Sequence, residues 1–167
     1  MALKRVVVTG LGALTPIGNN LNDFWTGLIE GRSGSAPITY FDTEKFKTKF
    51  ACELKNFDVS LHLDRKQQRK MDRFTQYGMV STEEAINHSG LDLENVDKLR
   101  VGVIWGSGIG GIETFQNQML DHASGDGTPR FNPFFIPKMI ADITPGYISM
   151  NYGFMGPNYT TVSACAS

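Results

Sequence analysis

The segment Asn158-Tyr-Thr-Thr-Val-Ser-Ala-Cys-Ala-Ser167 brings one cysteine, Cys165, to the end of a β-type run and sets it among residues with almost no side chain. A thiol at a strand end, followed by small residues able to start a helix, suits nucleophilic work. The N–H groups and positive end of such a helix favour thiolate over thiol, and small neighbours leave the sulfur accessible. A buried free cysteine is the plain alternative, since cysteine is among the residues most often fully buried. The small neighbours Ser163, Ala164, Ala166 and Ser167 tip the reading toward a nucleophile. The chain stops two residues later, so it reads as a piece of a larger enzyme, cut at that nucleophile. Cys52, in Phe50-Ala-Cys-Glu-Leu54, has no such setting and reads as inert packing.

A thiol nucleophile needs an acid–base partner and an oxyanion hole. None of His62, His88 and His122 lies at a strand end, so solvated or capping roles suit them, and the partners are expected beyond Ser167. Gly106-Ser-Gly-Ile-Gly-Gly111 formally matches G-x-G-x-x-G between a strand and a helix. No second strand with a ribose-binding acid follows it, so close backbone packing competes with nucleotide binding. Arg65, Arg69 and Arg73 recur at helical spacing with Lys66 and Lys70 beside them, giving one basic stripe. That stripe is either a solvated helix face or a dock for an acidic partner. Phe131, Phe134, Phe135 and Ile136 read as core or as the lining of an apolar tunnel.

The elements that must position these residues follow from pattern. Lys4–Thr9 and 101–105 are short β-branched runs of the kind buried on both faces, and 159–164 is a third. Helices are expected near Asn20–Glu30 with Gly31 as stop, and from an Asp64 cap to about Asn87 with Gly90 as stop. Further helix is expected over 112–122 and in parts of 133–150. Strands separated by helices argue an α/β layered fold with a mainly parallel sheet, whose chemistry sits at strand carboxyl ends. With no linker or internal repeat, the 167 residues read as one compact unit.

The 41% hydrophobic and 20% charged fractions are those of an ordinary soluble domain, and a net charge of −1 gives no steering toward nucleic acid or anionic membranes. The amino terminus runs straight into a strand pattern with no apolar leader, and no long apolar stretch occurs. Two cysteines are too few for a disulfide framework. A cytoplasmic, reduced, soluble protein is the expectation, with no membrane or nucleic-acid partner.

Taken in order, Arg5-Val-Val-Val-Thr-Gly-Leu-Gly12, Thr15-Pro-Ile-Gly18, Gly31-Arg-Ser-Gly34, Phe41-Asp-Thr43, Arg65-Lys-Gln-Gln-Arg-Lys-Met-Asp72, Gln76-Tyr-Gly78, Gly106–Gly111, Pro133-Phe-Phe135, Gly156-Pro157 and Ser163-Ala-Cys-Ala-Ser167 resemble the N-terminal part of a β-ketoacyl-acyl-carrier-protein synthase. The basic and Gln-Tyr-Gly segments look closest to the synthase II type. The resemblance implies part of the N-terminal half of a thiolase-like α-β-α-β-α layered fold, with residues 1–167 a partial ketoacyl-synthase domain and a homodimer as the full protein.

It also implies a condensing activity of type II fatty acid synthesis. Cys165 would accept the acyl chain from acyl carrier protein as a thioester. Decarboxylation of a malonyl thioester would then give the carbanion that attacks it, yielding the 3-oxoacyl product. Histidines and a lysine beyond Ser167 would stabilise the malonyl enolate, so these residues alone would be inactive. The Cys165 N–H matches one oxyanion donor. Arg65, Lys66, Arg69 and Lys70 match the carrier-protein docking patch, and Arg130 a further docking arginine whose usual basic neighbour is Phe131 here. Ile109, Phe135 and Ile136 match acyl-pocket residues, some of them across the dimer interface. No cofactor or metal is implied. A polyketide-type ketosynthase shares this chemistry, and a fragment that only binds carrier protein is the reading of another class.

Overall fold

The computed structural model describes residues 3–167. They form two compact units rather than the single one expected. One holds the chain up to Asp58 together with Val80–Leu91; the other holds Val59–Met79 and Asp92–Ser167.

In the first unit, the β-branched run 4–9 is not a strand. Among the described residues nothing pairs with it, and Val6 and Val8 are 91% and 79% exposed. Such residues gain from extended backbone only where a neighbouring strand completes the ladder and covers the side chains. The Gly-Leu-Gly segment that follows lies hard against residues 80–91. A Cβ on Gly12 would sit 1.9 Å from the Ser81 carbonyl oxygen, so only glycine fits. Glu84 ties this segment down, accepting from the amides of Ala13 (2.8 Å) and Leu21 (2.7 Å). The second of these amides opens α1 (Leu21–Ile29), which Asn20 caps by accepting from the Asp23 amide; Gly31 stops it with φ of 65°. The short strand β2 (Phe50–Ala51) runs antiparallel to β1 (Ala36–Pro37).

In the second unit a 3-10 turn, Val59–Leu61, precedes α2 (Arg65–Lys70). Its Asp64 cap is as expected, reinforced by Gln67 reaching back to the Asp64 amide. The helix does not run on to Asn87. Met71 turns extended (φ −115°, ψ 142°), and α3 (Arg73–Ser89) starts afresh. No glycine or proline marks this break. Met71 at 4% and Asp72 at 7% exposure are buried instead, so tertiary packing overrides a local sequence free to stay helical.

Beyond α3, β3 (Val103–Gly106) leads to α4 (Ile112–Ser124), α5 (Phe135–Met139), α6 (Ile143–Tyr152) and β4 (Asn158–Thr161). β3 and β4 pair in parallel, Val103 opposite Asn158 and Gly106 opposite Thr161, with α6 packed on both strands. This is the α/β arrangement read from the sequence. The core of the unit holds Leu63, Met71, Met79, Ile148 and Phe154. Each such buried side chain contributes roughly 1.5–3 kcal/mol. Thr75 and Thr144 are fully buried there and satisfy one another at 3.1 Å. Among the described residues no helix is long and apolar enough to cross a membrane, and no group of three or more His, Cys, Asp or Glu could hold a metal ion.

Candidate active site

Cys165 is exposed, but not at the strand end itself. β4 stops at Thr161, short of the expected 164, and the cysteine occupies a one-turn 3-10 helix, Ala164–Ala166. Past the end of the ladder, Ala164 takes φ of 50°, a left-handed conformation that costs a non-glycine residue about 1 kcal/mol. Ser167 holds the turn closed: its hydroxyl accepts from the Ser163 amide (2.7 Å) and donates to the Ala164 carbonyl (2.8 Å). The small residues flanking the cysteine thus build a strained turn that lifts the thiol off the sheet.

The glycine run supports this turn from behind. A Cβ on Gly106 would lie 2.7 Å from the Ser167 carbonyl carbon, and one on Gly108 would lie 3.1 Å from the Ala164 carbonyl oxygen. At its other end, a Cβ on Gly110 would meet the Met139 oxygen at 2.5 Å, and one on Gly111 the Lys138 oxygen at 2.1 Å. The faces that a nucleotide's phosphates would need are filled by the chain's own backbone. Ile109, 71% exposed, therefore sits between the Cys165 turn and the carboxyl end of α5, the helix that carries Phe135 and Ile136. Phe135 is stacked between Phe115 (centroids 6.3 Å apart) and Phe131 (5.7 Å), and Phe131 in turn meets His122 at 5.3 Å. So Phe131 braces Phe135.

Arg65, Lys66, Arg69 and Lys70 line one wall of an open cleft of about 640 Å³; Asn132, Pro133 and Phe134 line the other. Lys70 Nζ lies 5.5 Å from the centre of the Phe134 ring, a cation–π contact across it. Arg73 departs from the expected stripe: it belongs to α3 and pairs with Glu113 at 3.2 Å. Arg130 does not line this cleft. It pairs with Asp126 at 3.2 Å, whose carboxyl is held below the ordinary 3.8 first by the Thr128 amide and side chain and last by Arg130. His88 accepts from the Leu11 amide at 3.0 Å.

Sequence reasoning missed Asp72. Its carboxylate accepts from the Thr114 amide (3.1 Å), from the Thr114 hydroxyl in a very short contact, and weakly from the Phe74 amide (3.4 Å). The signal was present: an aspartate two residues past a basic helix and before an apolar-periodic one is itself a cap candidate.

A parallel strand pair feeding an exposed cysteine on a tight turn, backed by a glycine run within an α/β unit, defines the thiolase-like class. The family model for the beta-ketoacyl synthase N-terminal domain matches residues 3–167, and the chain belongs to that family. It is 46% identical over 167 residues to 3-oxoacyl-acyl-carrier-protein synthase 2 of Staphylococcus aureus strain N315, covering 98% of this chain and 39% of that protein's length. Among solved structures, the ishigamide ketosynthase/chain length factor matches with TM-score 0.87 and 26% identity, covering 96% of this chain and 40% of that one. A type II PKS acyl-carrier protein in complex with its ketosynthase bound to the hexaketide matches with TM-score 0.74 and 28% identity, over 92% of this chain and 40% of that one.

Proposed function

We propose that the full-length protein is a homodimeric, cytoplasmic condensing enzyme of type II fatty acid synthesis, with residues 1–167 part of its ketoacyl-synthase domain. The Cys165 thiolate attacks the carbonyl of an acyl thioester on acyl carrier protein. The acyl group becomes bonded to Sγ, and the carrier leaves as its thiolate, which takes a proton from solvent. The Cys165 amide serves as one oxyanion donor to the tetrahedral intermediate. A malonyl thioester on a second carrier then loses carbon dioxide. The carbanion so formed attacks the acyl-Cys165 carbonyl, giving 3-oxoacyl carrier protein and releasing the thiolate. No cofactor enters this balance. The histidines that stabilise the malonyl enolate come from outside these 167 residues, which alone do not condense acyl groups.

The observation that carries the reading is the exposed Cys165 on a strained turn, in a chain that matches the family's N-terminal domain from end to end. Ile109, Phe135 and Ile136 line the acyl pocket. The basic wall Arg65, Lys66, Arg69 and Lys70 docks the acidic carrier, with Arg130, outside the cleft, as a further docking arginine. Incubating the full-length protein with acyl carrier thioester should add one acyl mass at Cys165, as read by intact-mass and peptide spectrometry. Cys165→Ala should abolish the adduct; an adduct that persists elsewhere would sink the assignment.

The structural likeness to the ketosynthase of a type II PKS favours one second reading, a polyketide-type ketosynthase. The 46% identity to 3-oxoacyl-acyl-carrier-protein synthase 2 outweighs the 28% to that ketosynthase. Product analysis separates the two: accumulation of unreduced poly-β-ketone chains would move the reading to the polyketide type.

A further inference from the structure

The N-terminus of α4 poses a capping problem that its own sequence does not solve. Its cap residue is Gly111, which has no side chain and makes no side-chain cap bond. Nor can it carry one, because a Cβ there would fall 2.1 Å from the Lys138 carbonyl oxygen. The first-turn amides of a helix still need acceptors. The acceptor for Thr114 comes from 42 residues away: Asp72 takes both its amide and its hydroxyl. A Cβ on Gly111 would also lie 3.0 Å from the same Asp72 oxygen, so the carboxylate fills the space that the glycine leaves.

Asp72 has a position along the chain that gives this bond a consequence. It follows α2 with only Met71 between, so the basic wall of the cleft ends at the residue that caps α4. The opposite wall, Asn132–Phe134, runs directly into α5, whose last turn packs on Gly110 and Gly111. The Gly111 amide donates to the Met139 carbonyl at 2.9 Å. Both cleft walls are therefore fastened to one junction, made of Asp72, Gly111 and the end of α5. The far end of the same glycine run backs the Cys165 turn.

We infer that Asp72 is a positioning residue that locks the carrier-docking helix α2 in register with the glycine run behind the nucleophile. The inference rests on the docking reading given above. It acts through α2 and touches no reacting atom.

The test uses the full-length protein with Asp72→Asn and Thr114→Val, plus Thr114→Ser as the conservative variant that keeps the hydroxyl. Charge-assisted bonds of this kind are worth enough that losing one should change a coupled equilibrium by about tenfold. Hydrogen exchange should lose protection by about tenfold in peptides over both 65–71 and 108–114, while a peptide over 21–29 stays unchanged. Acyl transfer to Cys165 from acyl carrier protein should lose about tenfold in kcat/KM through KM, whereas a carrier-free acyl N-acetylcysteamine thioester should lose less than about twofold. Thr114→Ser should behave as wild type. Exchange that is unchanged, or raised equally everywhere, would overturn the inference, as would equal loss with both donors. If the wild type acylates from neither donor, the proposed function fails while the exchange pattern still decides the role of Asp72. If Asp72→Asn does not fold, Thr114→Val against Thr114→Ser decides it alone.

Discussion

Ala164 is held at φ of 50° one residue before the thiol, and that strain is offset by the two bonds of the Ser167 hydroxyl. The turn also depends on a surface with no side chains behind it. Gly106→Ala makes this measurable. The new methyl would stand 2.7 Å from the Ser167 carbonyl carbon, backbone that cannot swing aside as a flexible side chain would. The turn must shift by several tenths of an ångström, and misplacement on that scale should slow single-turnover acylation of Cys165 about tenfold or more. An unchanged rate would mean that the nucleophile's position does not depend on the glycine backing. At this scale the sequence was informative about identity and less so about geometry. Cysteine among small residues pointed to an accessible thiol, and Cys165 is exposed, but a strand running to it was the wrong picture, because alanine gives no local sign that it will adopt a left-handed conformation.

Among the elements, α2 shows where sequence reading succeeds and where it stops. The Asp64 cap is a local signal that the structure bears out, and Gln67 completes it as a capping box. The break at Met71 is not local. It is imposed by burial of Met71, which leaves no mark in a stretch of good helix formers, and by the capping tasks of Asp72, for which an aspartate at that place is only a candidate. The break takes Arg73 away from the stripe and leaves Arg65, Lys66, Arg69 and Lys70 together on one wall. A dock for an acidic partner built on four cations should weaken steeply with salt. Reversing Arg69 and Lys70 to glutamate should lower carrier-protein affinity at least about tenfold at low ionic strength, read by titration calorimetry, and should flatten the salt dependence. Phe134 stays in place for the apolar part of the contact. Unaltered affinity would return the stripe to a solvated face.

Across the whole chain, the run Arg5-Val-Val-Val8 is the clearest mismatch between sequence and structure. It has the composition of a strand covered on both faces, yet Val6 and Val8 lie in the open and the run pairs with nothing among the described residues. Strand propensity expresses itself only against a partner, so the pattern in the sequence describes an environment that these residues do not contain. The same holds for Ile104 in β3, 62% exposed, and Tyr159 in β4, 50% exposed, in a sheet of two short strands. A two-stranded sheet with open edges and apolar faces is marginal in water and a template for association. The chain spans 39% of the length of its Staphylococcus aureus relative, which leaves ample sequence in such a protein to cover those faces. The 167-residue chain expressed alone should therefore bind the dye ANS and melt without a cooperative transition. It should associate with itself without a defined stoichiometry above micromolar concentration, while the full-length protein binds no ANS, melts cooperatively and stops at a dimer. Sedimentation, ANS fluorescence and calorimetry on the two side by side decide it. A monomeric, dye-free chain with a sharp melt would show that the exposed valines need no cover, and that the two compact units suffice as they stand.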